Sequence, residues 1–183
     1  MPGSRRTSQA VRKNDVKSMA QARSYARSID RPLDHIFTIH WGCAEGPGPG
    51  GYRKRMNQLF CNVRDWMRRC QVPFMHIWIL EGSTKEAHMH GMLHVPHRFL
   101  PKLEAYLRQQ LGGPEEVLDI RKANPKIGGE TGWFRYIIKG CEADVRRALS
   151  PPNRGPQGTI VGKRCGFSSN LGPAARGRAE ESV

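Results

Sequence analysis

The 183-residue chain has no apolar run approaching the ~18 residues that a membrane span requires. Its first residues also lack the apolar segment of a signal peptide, so a soluble cytoplasmic protein is expected. Its five cysteines (Cys43, Cys61, Cys70, Cys141, Cys165) are odd in number and form no C-x-x-C pair, which excludes a zinc ribbon and a disulfide framework and leaves reduced thiols. No G-x-x-x-x-G-K-[ST] occurs, which excludes a P-loop motor. No internal repeat is present. Acidic side chains are scarce, 16 against 30 Lys and Arg, and the net charge of +14 makes a polyanion the first partner to consider.

That charge is unevenly placed: residues 1–32 carry +6, residues 33–150 carry +5 and residues 151–183 carry +3. The chain is accordingly divided into a basic flexible arm over 1–31, a domain over 32–149 and a basic Gly/Pro-rich tail over 150–183, expected to be disordered. Within the arm only Met19 to Ile29 has helical character. Both tails would bind phosphates without sequence preference and in a salt-sensitive way.

Between them the pattern is regular. Asp34 to Trp41 is β-branched and aromatic and reads as a strand, followed by a Gly/Pro-rich loop over Gly42–Gly51. From Tyr52 to Cys70, Met56, Leu59, Phe60, Val63, Trp66, Met67 and Cys70 recur at three- and four-residue intervals, which predicts a helix. Phe74–Glu81 and Ala87–Val95 form a hairpin around a five-residue turn, Pro101–Leu111 a second amphipathic helix stopped by Gly112-Gly113-Pro114, and Val117–Arg121 a fourth strand. The order strand, helix, strand, strand, helix, strand is an α+β, split βαβ arrangement of the ferredoxin or RNA-recognition type. It places two helices on one face of a four-stranded antiparallel sheet and leaves the other face free to bind. Glu130–Gly140 and Glu142–Leu149 are expected to form short helices.

Side chains alternate along a strand, so His88 and His90 emerge together while Met89 and Leu93 emerge opposite. Across the turn, Glu81 ends the partner strand and can bring a carboxylate to that pair. Two imidazoles and one carboxylate suit a divalent ion and leave coordination positions for a substrate oxygen. Further along, Tyr136 and Lys139 stand three apart and share a helix face. A phenol can attack a phosphodiester and hold the cut strand as an ester when a neighbouring ammonium offsets the cost of losing its proton.

Phe37-Thr38-Ile39, His88-Met89-His90-Gly91 and Tyr136-Ile137-Ile138-Lys139, in that order over about 100 residues, resemble the three motifs of the HUH endonucleases, specifically the single-tyrosine initiators of rolling-circle replication. The resemblance covers roughly residues 33 to 140. It implies that His88 and His90 are the metal-binding pair, Glu81 the acidic third ligand, Tyr136 the nucleophile and Lys139 the lysine one turn later, with Mg2+ or Mn2+ as the ion. The expected activity is site-specific nicking and rejoining of single-stranded DNA, for example at an origin hairpin, with a host helicase and polymerase as partners and no membrane. The nucleophile follows the histidines, unlike in conjugative relaxases, and positions 132 and 140 are glycine, so one tyrosine acts. His40 departs from the first motif's small polar residue, and His94, on the same face as the pair, competes with Glu81 for the third ligand position. Arg121, Lys122, Lys126 and Arg135 are the candidate phosphate contacts, while Trp133 and Phe134 either stack on unpaired bases or pack in the core. The alternatives are a non-catalytic DNA- or RNA-binding module on the open sheet face, and a transposase or mobilisation protein using the same adduct.

Overall fold

The computed structural model describes residues 7–45, 52–82, 87–152 and 157–180. In chain order its elements are β1 (Thr7–Ser8), α1 (Lys13–Ser28), β2 (His35–His40), α2 (Tyr52–Arg69), β3 (Met75–Glu81), β4 (His88–His94), α3 (Leu100–Leu111), β5 (Leu118–Lys122), α4 (Gly129–Ile137), α5 (Ala143–Leu149), β6 (Ile160–Val161), β7 (Cys165–Phe167) and α6 (Pro173–Glu180). The last four residues of the expected Gly82–Glu86 turn and the glycine-rich end of the loop after β2 lie outside the described residues.

The main sheet has five antiparallel strands in the order β5-β2-β4-β3-β7. Its first four strands and the helices α2 and α3 follow the split βαβ order, so the fold class matches the α+β expectation. β4 is the middle strand, paired through His40↔His88 and Thr38↔His90 on one side and through Glu81↔His88 and Ile79↔His90 on the other.

Each face of the sheet carries an apolar core. On one face Trp78, Leu80, Met89 and Leu93 pack with Val63 and Met67 of α2 and Leu103 and Leu107 of α3. On the other, Met75, Ile77, Ile79 and Met92 pack with Val16, Met19, Ala22 and Ala26 of α1 and with Phe134 and Ile137 of α4. This is why β3 is apolar except for His76 and, at its end, Glu81: every one of its residues is buried.

The second core corrects the expected domain limits. Over its described part the N-terminal segment is not a flexible arm. Its helix α1 buries a stripe at three- and four-residue spacing, and full burial of Val16 and Met19 alone contributes about 1.5 to 3 kcal/mol each. The sequence disguised it because two of the four stripe residues are alanines. The C-terminal segment is likewise folded over residues 157–180: β7 extends the sheet beside β3, and β6 pairs with β1. Arg164, 5% exposed, ties these ends together by donating to the carbonyls of Ser8 (2.7 Å), Leu80 (3.4 Å), Gln157 (3.3 Å) and Gly158. The face expected to be free is therefore only partly so: α1 and α4 cover it over β3, β7 and the later part of β4, and it stays open over β5, where Asp119 and Arg121 are exposed, and beside Thr38, His40 and His88. Among the described residues no helix is long and apolar enough to cross a membrane.

Candidate metal centre and the tyrosine beside it

Glu81 ends β3 opposite His88, and Ile79 lies opposite His90, so the alternation of the two strands puts Glu81, His88 and His90 on the same face. The Nε2 atoms of His88 and His90 are 3.5 and 3.4 Å from Glu81 Oε2. One donor atom from each residue lies within 4.8 Å of the others. Three donors each about 2.1 Å from a common cation are themselves about 3 to 3.5 Å apart, so this cluster has the dimensions to hold a metal ion. Glu81 is 1% exposed and its Oε1 has no hydrogen-bond partner, an unsatisfied buried oxygen that a cation would satisfy.

Burial acts to raise the Glu81 pKa, but the contacts with His88, His90 and Lys139 outweigh it and hold the carboxyl well below the usual range. His90 is likewise held below its ordinary value: burial lowers it, Glu81 opposes, and Lys139 and His88 lower it further. The acid is thus ionised and the imidazole neutral, the states a metal ligand needs. Thr38 Oγ1 is 2.9 Å from His90 Nδ1. In the tautomer that offers Nε2 to a cation, Nδ1 donates to that hydroxyl, which fixes the ring. The sequence marks Thr38 only as part of the Phe37-Thr38-Ile39 motif; its position directly opposite His90 across the strands explains it.

Gly91, which closes the His88-Met89-His90-Gly91 run, is set by packing. A Cβ there would run into the Phe37 ring and come within 2.5 Å of the Ile77 carbonyl oxygen. Its own carbonyl accepts from Trp133 Nε1 at 3.1 Å, which docks α4 onto β4. One turn later on α4 comes Tyr136. Its ring stacks on Trp133 at 4.7 Å and meets the His90 ring edge-on at 5.5 Å. Lys139 lies just past the end of α4, in a closing turn whose amide donates to the Tyr136 carbonyl at 3.1 Å. Its ammonium, 5% exposed, sits 2.7 Å from Glu81 Oε2 and 4.0 Å from the Tyr136 ring centroid. Strand pair and helix end thus meet at a single point.

No family model, curated protein or solved structure matches the chain. What the site can do is set by its own donors and its opening. Thr38, His40, His90, Trp133 and Tyr136 line a cavity of about 560 Å³, within the size range of small-ligand sites, roughly 300 to 1,000 Å³. Arg121, of the four expected phosphate contacts, shares that wall, and it pairs with Asp119 at 3.5 Å. Lys122 does not: its strand position puts it with Leu118 and Ile120, whose side chains belong to the opposite core. Lys126 and Arg135 are exposed and outside the cavity lining. Phe134 is core, 5% exposed beneath the Arg23 guanidinium. His94 sits opposite Met75 at the far end of β4, its Nδ1 3.0 Å from the Pro32 carbonyl, and takes no part in the cluster. His40 does approach it, pairing with His88 at 5.8 Å between ring centroids, and burial followed by His88 lowers its pKa.

Proposed function

We propose that this chain is a metal-dependent enzyme that nicks and rejoins single-stranded DNA through a tyrosyl ester at Tyr136, acting as an initiator of rolling-circle replication. The observation that carries the proposal is the meeting of Glu81, His88 and His90 with Lys139 and Tyr136: the carboxylate touches the ammonium at 2.7 Å, and the phenol ring lies 5.5 Å from the His90 ring. A divalent cation held by Glu81, His88 and His90 supplies Lewis-acid polarisation of the scissile phosphate. Two imidazoles in the donor set favour Mn2+ over Mg2+, which prefers all-oxygen surroundings.

The phenol oxygen of Tyr136 attacks phosphorus, an O–P bond forms, and the bond from phosphorus to the 3′ oxygen breaks. The phenol proton leaves to solvent, and the departing oxygen takes one up to become a free 3′-hydroxyl. Lys139 offsets the developing phenolate charge and positions the ring. The ester conserves the bond, so a returning 3′-hydroxyl reverses the reaction and reseals the strand. The free hydroxyl primes a host polymerase, and a host helicase supplies the unwinding. A transposase or mobilisation protein would use the same steps on other DNA. The non-catalytic binding module is disfavoured because α1 and α4 cover the part of the sheet face over β3 and β7 and leave open only the part beside the cluster.

Labelled single-stranded DNA incubated with the protein and Mn2+ should give an adduct that survives denaturant and is lost in Tyr136→Phe. An undiminished adduct in Tyr136→Phe removes the phenol from the mechanism.

A further inference from the structure

On the sheet face away from Glu81, His88 and His90, a second opening of about 620 Å³ runs between α2 and the edge formed by β3 and β7. Its floor is aromatic. The His76 ring lies 4.4 Å from the Phe60 ring and 4.3 Å from the Phe74 ring, and Trp78 completes the group at 6.2 Å from Phe60. Its rim is cationic: Arg64, Arg68 and Lys163 line it, and no carboxylate does among the described residues. Asp65 lies beside it and is shared by the two guanidinia, 3.4 Å from Arg64 and 3.7 Å from Arg68, so positive charge remains in excess.

Two polar atoms of this wall are buried with no partner, His76 Nδ1 and Asn170 Oδ1. His76 is only 5% exposed, and a buried imidazole nitrogen without a hydrogen bond costs stability unless something binds it. Flat apolar surfaces, unfilled hydrogen-bonding atoms and a cationic rim together match a nucleobase carrying a phosphate.

We propose that this groove binds one unpaired nucleotide of a single-stranded DNA, the base against Phe60 and Phe74 with its edge toward His76 and Asn170, and the phosphate between Arg64, Arg68 and Lys163. The proposal is independent of the nicking chemistry, and the test uses the full-length Tyr136→Phe protein without metal so that the two stand or fall separately.

Thymidine monophosphate, thymidine and inorganic phosphate are titrated separately while amide NMR shifts are followed. The monophosphate should move the amides of Gln71, Val72, Ser168 and Asn170, with both halves weaker by at least tenfold. Arg64→Glu/Arg68→Glu, altered at exposed positions, should weaken it at least fivefold. It should also reduce the salt slope for oligo(dT) by about 0.7, the value for one lost phosphate contact on a single strand. The proposal is overturned if the shifts are confined to Trp133 and its neighbours on α4, if phosphate alone matches the monophosphate, or if an acidic tryptophan-containing peptide binds more tightly, which would make this a protein-docking groove.

Discussion

Lys139 and a divalent cation would share the Glu81 carboxylate, because the ammonium already stands 2.7 Å from its Oε2. Replacing it with a neutral side chain removes a positive charge from beside the incoming ion, so Lys139→Met should tighten Mn2+ binding by about tenfold, roughly 1.4 kcal/mol. Calorimetric titration measures this, and weaker binding in Lys139→Met would mean that the lysine supports the ion. His76 offers a second test at this scale. Burial pushes its pKa down to about 3, against 6.5 when the chain is unfolded. The unfolded state therefore takes up the proton first: His76 leaves stability untouched above pH 6.5 and costs it as pH falls from 6.5 toward 3. The loss should reach about 2 kcal/mol by pH 5, at about 1.4 kcal/mol per pH unit. Melting curves from pH 7 to 5 should fall more steeply for the native chain than for His76→Phe; equal slopes would contradict a buried neutral imidazole. Glu81, His88 and His90 were legible in the sequence because strand alternation is local. That Arg121 and Lys122 face opposite ways was not, since the sense of that alternation depends on how β5 pairs with β2.

Among the elements, β4 carries the densest constraint. Gly91 has the Phe37 ring on one strand neighbour and the Ile77 carbonyl on the other where a Cβ would stand, and the backbone oxygen cannot move aside without breaking the ladder. Gly91→Ala should cost about 1 to 3 kcal/mol or more, as overpacking does, seen as a lowered midpoint in thermal or urea unfolding; an unchanged midpoint would mean the strands relax freely there. Helices α2 and α3 were legible because Leu, Met, Phe and Trp mark their buried stripes. The Met19–Ile29 part of α1 was legible as helical, but its first turns and its packing were not, because Ala22 and Ala26 are small and its exposed residues are strongly polar, so the segment's composition resembles that of an unfolded arm. β7 was hidden for another reason: three residues at a sheet edge give too short a pattern to recognise.

For the molecule as a whole, the basic excess of the N- and C-terminal segments is carried in part by ordered structure. α1 closes the second core, and its Arg23 and Arg27 reach Glu130, each at 3.4 Å, at the start of the helix that bears Tyr136. Removing residues 1–31 would strip the cover from Ile77, Ile79 and Met92, which are 0 to 1% exposed. The truncated protein should lose its cooperative melt or aggregate, as monitored by circular dichroism and light scattering. A soluble, cooperatively folding truncation would restore the flexible-arm expectation.

The central claim is that the strand-borne cluster and Tyr136 serve one phosphodiester. Trypsin cuts after Arg135 and Lys139, so it isolates the tyrosine in a four-residue peptide, and mass spectrometry of a nuclease-trimmed adduct can locate the bond. Nucleotide mass on Tyr136, present with Mn2+ and absent with chelator or in His90→Ala, is the expected result. Mass on another residue, or an adduct at Tyr136 that forms equally well without metal and without His90, would contradict it.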